Sequence, residues 1–151
     1  MFLESFFEKA VGLNPDAIAI EHGNLKYSYQ EVNNKANQLA HYLQTRNVTP
    51  EEKVIILLPR CGFVPIAMLG VLKAGAAYIP LDPEIPADRV NFIMEDSGAK
   101  LIITSNEILQ RIGNQLNENP IFNIDNQLTE INKLPLTKPA EIDRCLTICV
   151  T

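Results

Sequence analysis

Three charged residues near the middle of the chain, Lys73, Asp82 and Glu84, are the first candidates for chemistry. Lys73 lies in the run V-L-K-A-G-A-A-Y-I-P-L-D-P (residues 71–83), where its cation could bind phosphate. We favour the alternative, a lysine at the end of a helix that is stabilised by the helix dipole. Asp82 and Glu84 could form an acid–base pair, but a turn beside Pro83 explains them more simply.

The aromatic and arginine candidates are Tyr27, Tyr29, Tyr78 and Arg60. The tyrosine rings could stack on adenine, but we favour packing with their hydroxyl groups at the rim of the core. Arg60 follows a predicted strand, and α/β sheets place functional loops at the ends of strands. A structural salt bridge is the alternative for Arg60, and it is our default interpretation.

Histidine and cysteine do not form a recognisable catalytic or metal-binding pattern. His22 falls in a predicted hairpin turn and His41 on a predicted exposed helix face, so no catalytic triad is proposed. The cysteines, Cys61, Cys145 and Cys149, contain no C-x-x-C pair, and metal-ligand spacing is absent. We expect three small, buried, reduced thiols in a cytoplasmic protein.

Composition excludes several classes of partner. The 151 residues are 46% hydrophobic and 21% charged, as in a single globular domain. The net charge is −5 and there is no basic run, which argues against nucleic acid and anionic membranes as partners. Residues 63–81 are apolar enough to resemble a membrane span, but Pro65, Lys73, Gly75 and Pro80 divide them.

The elements that must position these residues alternate along the chain. Strands are predicted at residues 53–59, 76–81, 100–104 and 121–124, preceded by a β-hairpin of residues 17–21 and 25–28. Helices are predicted at residues 2–11, 28–43, 63–72, 86–97 and 106–116. The alternation predicts an open, mostly parallel α/β sheet with helices on both faces.

Local signals support several of these boundaries. Leu3, Phe6, Phe7 and Ala10 would share one face of the first helix. The S-x-x-E sequence that begins at Ser28 is a capping box for the second helix. Gly75 and Gly98 are predicted to end the third and fourth helices, and Pro86 to open the fourth. Residues 126–143 are predicted to be a surface connection, and residues 144–151 are β-rich.

Two motifs carry a resemblance to a known family. The run L-K-Y-S-Y-Q-E-V-N (residues 25–33) is similar to L-T-Y-x-E-L-N, and L-K-A-G-A-A-Y-I-P-L-D-P (residues 72–83) to L-K-A-G-x-A-Y-V-P-L-D-P. In this order they resemble the adenylate-forming enzymes of the AMP-binding superfamily. The resemblance covers residues 6–105 and returns at the last residues. The second motif favours adenylation domains of non-ribosomal peptide synthetases over acyl-CoA synthetases or luciferases.

The resemblance implies a two-step reaction in the intact enzyme. An amino-acid carboxylate attacks the α-phosphate of Mg-ATP to give an acyl adenylate and pyrophosphate, and the phosphopantetheine thiol of a carrier protein then displaces AMP. Such a site needs backbone N–H groups, a metal ion and a cation directed at the phosphates. The family supplies the N–H groups from a loop, T-S-G-T-T-G-K-P-K-G. Alignment puts Thr151 on the first threonine of this loop, which makes Thr151 the implied cofactor-binding residue.

Residues 1–151 would then be the N-terminal part of the large subdomain of an adenylation domain, incomplete at the C-terminus. The rest of the phosphate loop, the substrate pocket, the ribose-binding aspartate and the C-terminal lysine of the family all align beyond Thr151. Val150 also replaces the tyrosine that the family prefers. We therefore expect no catalytic residue, no metal ligand and no activity in this chain alone.

Three interpretations remain open for such a chain. It is a piece of an adenylating enzyme, with low stability by itself, or one half of a split enzyme whose partner supplies the missing remainder. The third is a non-catalytic binding module that kept the fold. Detection of a separate partner chain that restores activity would favour the second interpretation over the others.

Overall fold

The computed structural model describes residues 2–139. The predicted β-rich stretch at residues 144–151, with Cys145, Cys149 and Thr151, lies outside the described residues. The helices are α1 (Leu3–Leu13), α2 (Tyr29–Thr45), α3 (Phe63–Lys73), α4 (Ala87–Ser97), α5 (Asn106–Ile112) and α6 (Ile124–Ile131), with a 3₁₀ turn at Gly113–Gln115. The strands are β1 (Ile18–His22), β2 (Leu25–Ser28), β3 (Lys53–Ile56), β4 (Ala77–Pro80), β5 (Leu101–Thr104) and β6 (Ile121–Asn123).

Four of these strands form one parallel sheet in the order β4-β3-β5-β6. Val54 of β3 is the central partner, opposite Tyr78 on one side and Leu101 on the other. The chain therefore runs from β3 through α3 to β4 on one side of β3. It then crosses back through α4 to form β5 on the other side of β3. The hairpin of β1 and β2 is a separate antiparallel pair. The predicted parallel α/β sheet is confirmed.

Both faces of this sheet are covered by helices. Successive side chains of a strand point to opposite faces, so neighbouring residues of β3 belong to different apolar clusters. Val54 and Ile56 belong to the apolar cluster that includes buried residues of α2 and α3. Ile55 belongs to the second cluster, which includes buried residues of α4 and α5. Parallel strands buried on both faces read as continuous apolar runs, which is why K-V-I-I-L-L-P was recognisable.

The capping box and the glycines predicted to end helices are present in the structure. The Ser28 hydroxyl accepts a hydrogen bond from the Glu31 amide at 3.1 Å, and the Glu31 carboxylate accepts one from the Ser28 amide at 2.7 Å. Gly75 and Gly98 have φ values of 86° and 68°, the left-handed conformation that ends helices at low cost in glycine. Pro86 is the N-cap of α4, one position earlier than predicted.

Helix α1 buries a different face from the one that the apolar residues suggest. Leu3 and Phe6 are 49% and 60% exposed, whereas Glu4 and Val11 are buried. The physical reason lies across the interface, where the buried Lys73 ammonium requires the carboxylate of Glu8. An ionic requirement has outweighed the apolar pattern at this helix.

Helix α6 corrects the prediction that residues 126–143 are a surface connection throughout. Residues Ile124–Ile131 are helical, and the Asn123 side chain caps the helix by accepting from the Asp125 amide. The apolar residues Ile124, Leu128 and Ile131 have helical spacing and contact the first apolar cluster. This short period was visible in the sequence, but it was concealed by the polar residues between its members.

We expect Gly70→Ala to destabilise the protein. An added Cβ would lie 2.6 Å from Leu39 Cδ2 and 2.9 Å from its Cγ, in the tight interface of α3 with α2. Overpacking should exceed the gain in helix propensity and lower the free energy of unfolding by about 1–2 kcal/mol. Urea unfolding measures this, with Gly12→Ala as the matched control because its Cβ would meet nothing within 4 Å. Equal stability of Gly70→Ala and the parent would contradict the packing argument.

Candidate functional site

The cation of the signature segment, which we define as residues 71–83, is committed to a buried ion pair. Lys73 is the last residue of α3, and its side chain is 0% exposed. Its Nζ lies 2.5 Å from Oε1 of Glu8 on α1. Oε2 of the same carboxylate lies 3.2 Å from Nζ of Lys138. These contacts favour the structural interpretation of Lys73 over a phosphate ligand.

The pKa values of the pair reflect unequal burial. Burial opposes ionisation of Glu8, but hydrogen bonds and charge from Lys73 and Lys138 outweigh it, so the pKa of Glu8 lies below its ordinary 4.5. Burial of the Lys73 ammonium lowers the pKa of that group, and the opposing effect of Glu8 only partly compensates. The carboxylate keeps some exposure to solvent, whereas the ammonium has none. Glu8 therefore favours the charged form of Lys73 inside the protein.

The loop that follows β4 is held as a defined turn. The Asp82 carboxylate accepts a hydrogen bond from the Glu84 amide at 2.8 Å, the geometry of an Asx turn. Arg111 of α5 donates to the carbonyl groups of Pro83 and Ile85. The turn interpretation of Asp82 and Glu84 therefore has structural support, and the acid–base interpretation has none.

The carboxyl end of β5 carries polar groups that the sequence argument missed. Thr104 and Ser105 are buried, and their hydroxyl groups find no hydrogen-bond partner among residues 2–139. They lie where the order of the strands reverses, between β3 and β5, which is where open α/β sheets place ligands. Polar residues directly after the buried run L-I-I were the available signal. This edge is the best candidate for a ligand-facing surface in the described part of the chain.

The tyrosines are not brought together as a stacking platform. Tyr29 packs on Phe7 with ring centroids 5.5 Å apart, and the Lys35 ammonium lies 5.4 Å from the ring centroid of Tyr27. Tyr78 is a partly buried residue of the first apolar cluster. Rim packing, the interpretation favoured from the sequence, agrees with these contacts.

The structure places Arg60, the two histidines and Cys61 differently from what the sequence predicted. Arg60 is exposed after β3, and within residues 2–139 it forms no ion pair shorter than 4.0 Å, so the expected salt bridge is not observed there. His41 is half-buried, and its Nε2 donates to the Thr137 carbonyl at 2.8 Å, so its helix face is covered by a later part of the chain. His22 is the exposed last residue of β1 and not part of the predicted hairpin turn, and Cys61 is half-buried where a buried thiol was expected.

Neither a metal centre nor a phosphate cradle is built by the described residues. Across residues 2–139, no three His, Cys, Asp or Glu side chains are grouped so that they could hold a metal ion. The left-handed glycines in this range, Gly23, Gly75 and Gly98, serve a hairpin turn and two helix ends. None of the helices in this part of the chain is long and apolar enough to cross a membrane.

Fold and site together define a parallel α/β domain whose signature residues are structural. The sequence profile described as "AMP-binding enzyme" matches residues 7–146, and the chain belongs to that family. It is 41% identical over 139 residues to a dimodular nonribosomal peptide synthase of Bacillus subtilis (strain 168), with 91% of this chain and 6% of that protein covered. It is 46% identical over 106 residues to gramicidin S synthase 2 of Brevibacillus brevis, with 70% and 2% covered.

Solved structures share the fold. The nonribosomal peptide synthetase FmoA3 superimposes with a TM-score of 0.82 at 24% identity, over 95% of this chain and 15% of that one. VinN superimposes with a TM-score of 0.85 at 17% identity, over 95% of this chain and 39% of that one. The chain spans only a small part of each relative, so these comparisons identify the family and the fold.

We expect Glu8→Gln to destabilise the protein at neutral pH and to weaken its acid dependence. Because the folded-state pKa of Glu8 is lowered, its contribution is fully present above pH 4.5 and is lost as pH falls through the lower, folded-state pKa. Removing one partner of a buried pair should lower the free energy of unfolding by about 3 kcal/mol at pH 7.

The measurement is urea unfolding as a function of pH. Glu21→Gln is the matched control, because Glu21 pairs with Lys26 on the surface at 3.4 Å and both side chains are more than half exposed. Its effect should stay within about 0.5 kcal/mol at each pH. If Glu8→Gln and Glu21→Gln behaved alike, the ion pair would not be a stabilising feature.

Proposed function

We propose that this chain is the N-terminal portion of an ATP-dependent adenylating enzyme of non-ribosomal peptide synthesis. The observation that carries the proposal is the family match over residues 7–146, together with 41% and 46% identity to two peptide synthetases. The signature motif also lies in the strand–helix–strand unit β3-α3-β4, in which β4 pairs in parallel with β3. FmoA3 has been solved in an AMPPNP-bound form, which supports ATP as the nucleotide.

In the complete protein, an amino-acid carboxylate would displace pyrophosphate from the α-phosphate of Mg-ATP and form an aminoacyl adenylate. A carrier-protein phosphopantetheine thiol would then attack the acyl carbon and release AMP. Thr151 would be the first residue of the phosphate loop, and the protein would act in the cytoplasm. The carrier protein and the remainder of the adenylation domain are the partners that this proposal requires.

The described residues would contribute a scaffold and no reacting group. Lys73 and Glu8 neutralise each other in a buried contact, and Asp82 caps its own turn. A charge that is already paired inside the protein is not available to stabilise a developing charge on substrate. The reacting groups of such an enzyme would therefore come from residues beyond the described part of the chain.

We expect amino-acid-dependent exchange of pyrophosphate into ATP by the complete protein that carries this sequence in its source cell. The assay is run with single amino acids and with simple carboxylic acids, and reactions without any acid are the blank. The 151-residue chain alone should give no exchange, since the implied phosphate loop is absent from it. Exchange only after a second chain is added would identify a split enzyme. If the complete, folded protein gave no exchange above the blank with any acid tested, the proposed function would be refuted.

A further inference from the structure

A row of polar side chains on α2 holds a later part of the chain by its backbone. We call Asn37, Gln38 and His41 the α2 polar row, and residues 132–138 the crossing segment. Asn37 Nδ2 donates to the carbonyl of Leu136 at 2.7 Å. Gln38 Nε2 donates to two carbonyl groups of the crossing segment, those of residues 132 and 134, each at 3.1 Å. His41 supplies the contact at residue 137 described above.

The polar row is part of the interior, which distinguishes it from ordinary surface contacts. Asn37 and Gln38 are 3% and 5% exposed, although both lie on a helix whose other buried residues are mainly apolar. A buried amide that lost its acceptor would retain its full desolvation penalty, so each of these hydrogen bonds is expensive to break. Because every acceptor is a backbone carbonyl, the row fixes the path of the segment without depending on its side chains.

The far end of the crossing segment is held by the ion network. Lys138 contacts the Glu8 carboxylate, which also neutralises the buried Lys73. The segment is thus attached to α2 along its length and to α1 at its end. Pro139, the next residue and the last described one, is buried.

We propose that Asn37, Gln38 and Glu8 are positioning residues, which set the place from which the chain continues toward the residues that the family resemblance assigns to the phosphate loop. This inference rests on the proposed function. If the crossing segment were a flexible linker of about seven residues, its end would spread over roughly 15 Å. Catalytic groups must be placed to within about 1 Å. Anchoring the crossing segment removes this freedom up to residue 138 and so fixes the point from which the chain continues.

The first experiment tests the anchoring in the complete protein. Trypsin can cut the Lys133–Leu134 bond, which lies between the two carbonyl groups held by Gln38, whereas Pro139 protects Lys138. Gln38→Met keeps the length of the side chain but removes its donors, and should speed the appearance of an N-terminus at Leu134 by roughly tenfold. Gln30→Met is the matched control, because Gln30 is exposed at the start of the same helix and its side chain donates to Asn34 of that helix. Cleavage after the buried Lys73 monitors global unfolding.

The second experiment tests positioning in the same protein, by pyrophosphate exchange. Gln38→Met should raise KM for ATP by at least roughly tenfold, which lowers kcat/KM for ATP, and leave KM for the amino acid within about twofold. A purely structural role would instead reduce the active fraction, which lowers kcat and leaves both KM values unchanged. Gln30→Met should match the parent in every constant.

The outcomes separate the two proposals. Equal cleavage at Lys133 in Gln38→Met and Gln30→Met would overturn the anchoring itself. Faster cleavage with an unchanged KM for ATP would overturn the positioning role, whether or not kcat falls. A parent protein without exchange would refute the proposed function and the positioning role with it, while the cleavage rates would still decide whether the polar row holds the segment.

Discussion

The buried ammonium group of Lys73 constrains the whole face of the domain that carries α1, α2 and α3. An unpaired charge in this position would be very unfavourable, so a carboxylate must reach it from a neighbouring element. Glu8 meets this requirement from α1, and it thereby selects the face that α1 turns inward. The second oxygen of Glu8 contacts Lys138, so one carboxylate joins the start, the middle and the end of the described chain.

The parallel sheet provides the rigid reference for these contacts. Its strands are covered on both faces, so their positions are determined by two apolar clusters and by the backbone ladder. The charged and amide side chains then work at the periphery of this sheet, where they attach α1 and the crossing segment to the helical layer. Apolar burial provides most of the stabilisation, whereas the polar contacts determine which path the connecting chain follows.

This division of roles explains why a family signature can contain few chemical groups. In the signature segment, Lys73 pairs with α1, Gly75 ends a helix in the left-handed conformation, and Asp82 forms a turn. Each residue type is required by the structure around it, locally for Gly75 and Asp82 and through a tertiary contact for Lys73. A signature of this kind identifies the scaffold on which an adenylating site would be built, and it is consistent with reacting groups that come from elsewhere in the protein.

The sequence by itself determined the strand–helix alternation, the capping box at Ser28 and the glycine helix ends, because these depend on residue periodicity and on local backbone conformation. It also carried the family resemblance. Only the tertiary structure decided that α1 buries Glu4 rather than Leu3 and Phe6. It also decided that Gln38 donates hydrogen bonds to backbone carbonyl groups more than ninety residues away. A buried charge or amide pairs with whichever group the fold brings near, and here that group is far away in the sequence. The spacing of residues along the chain therefore cannot predict the partner.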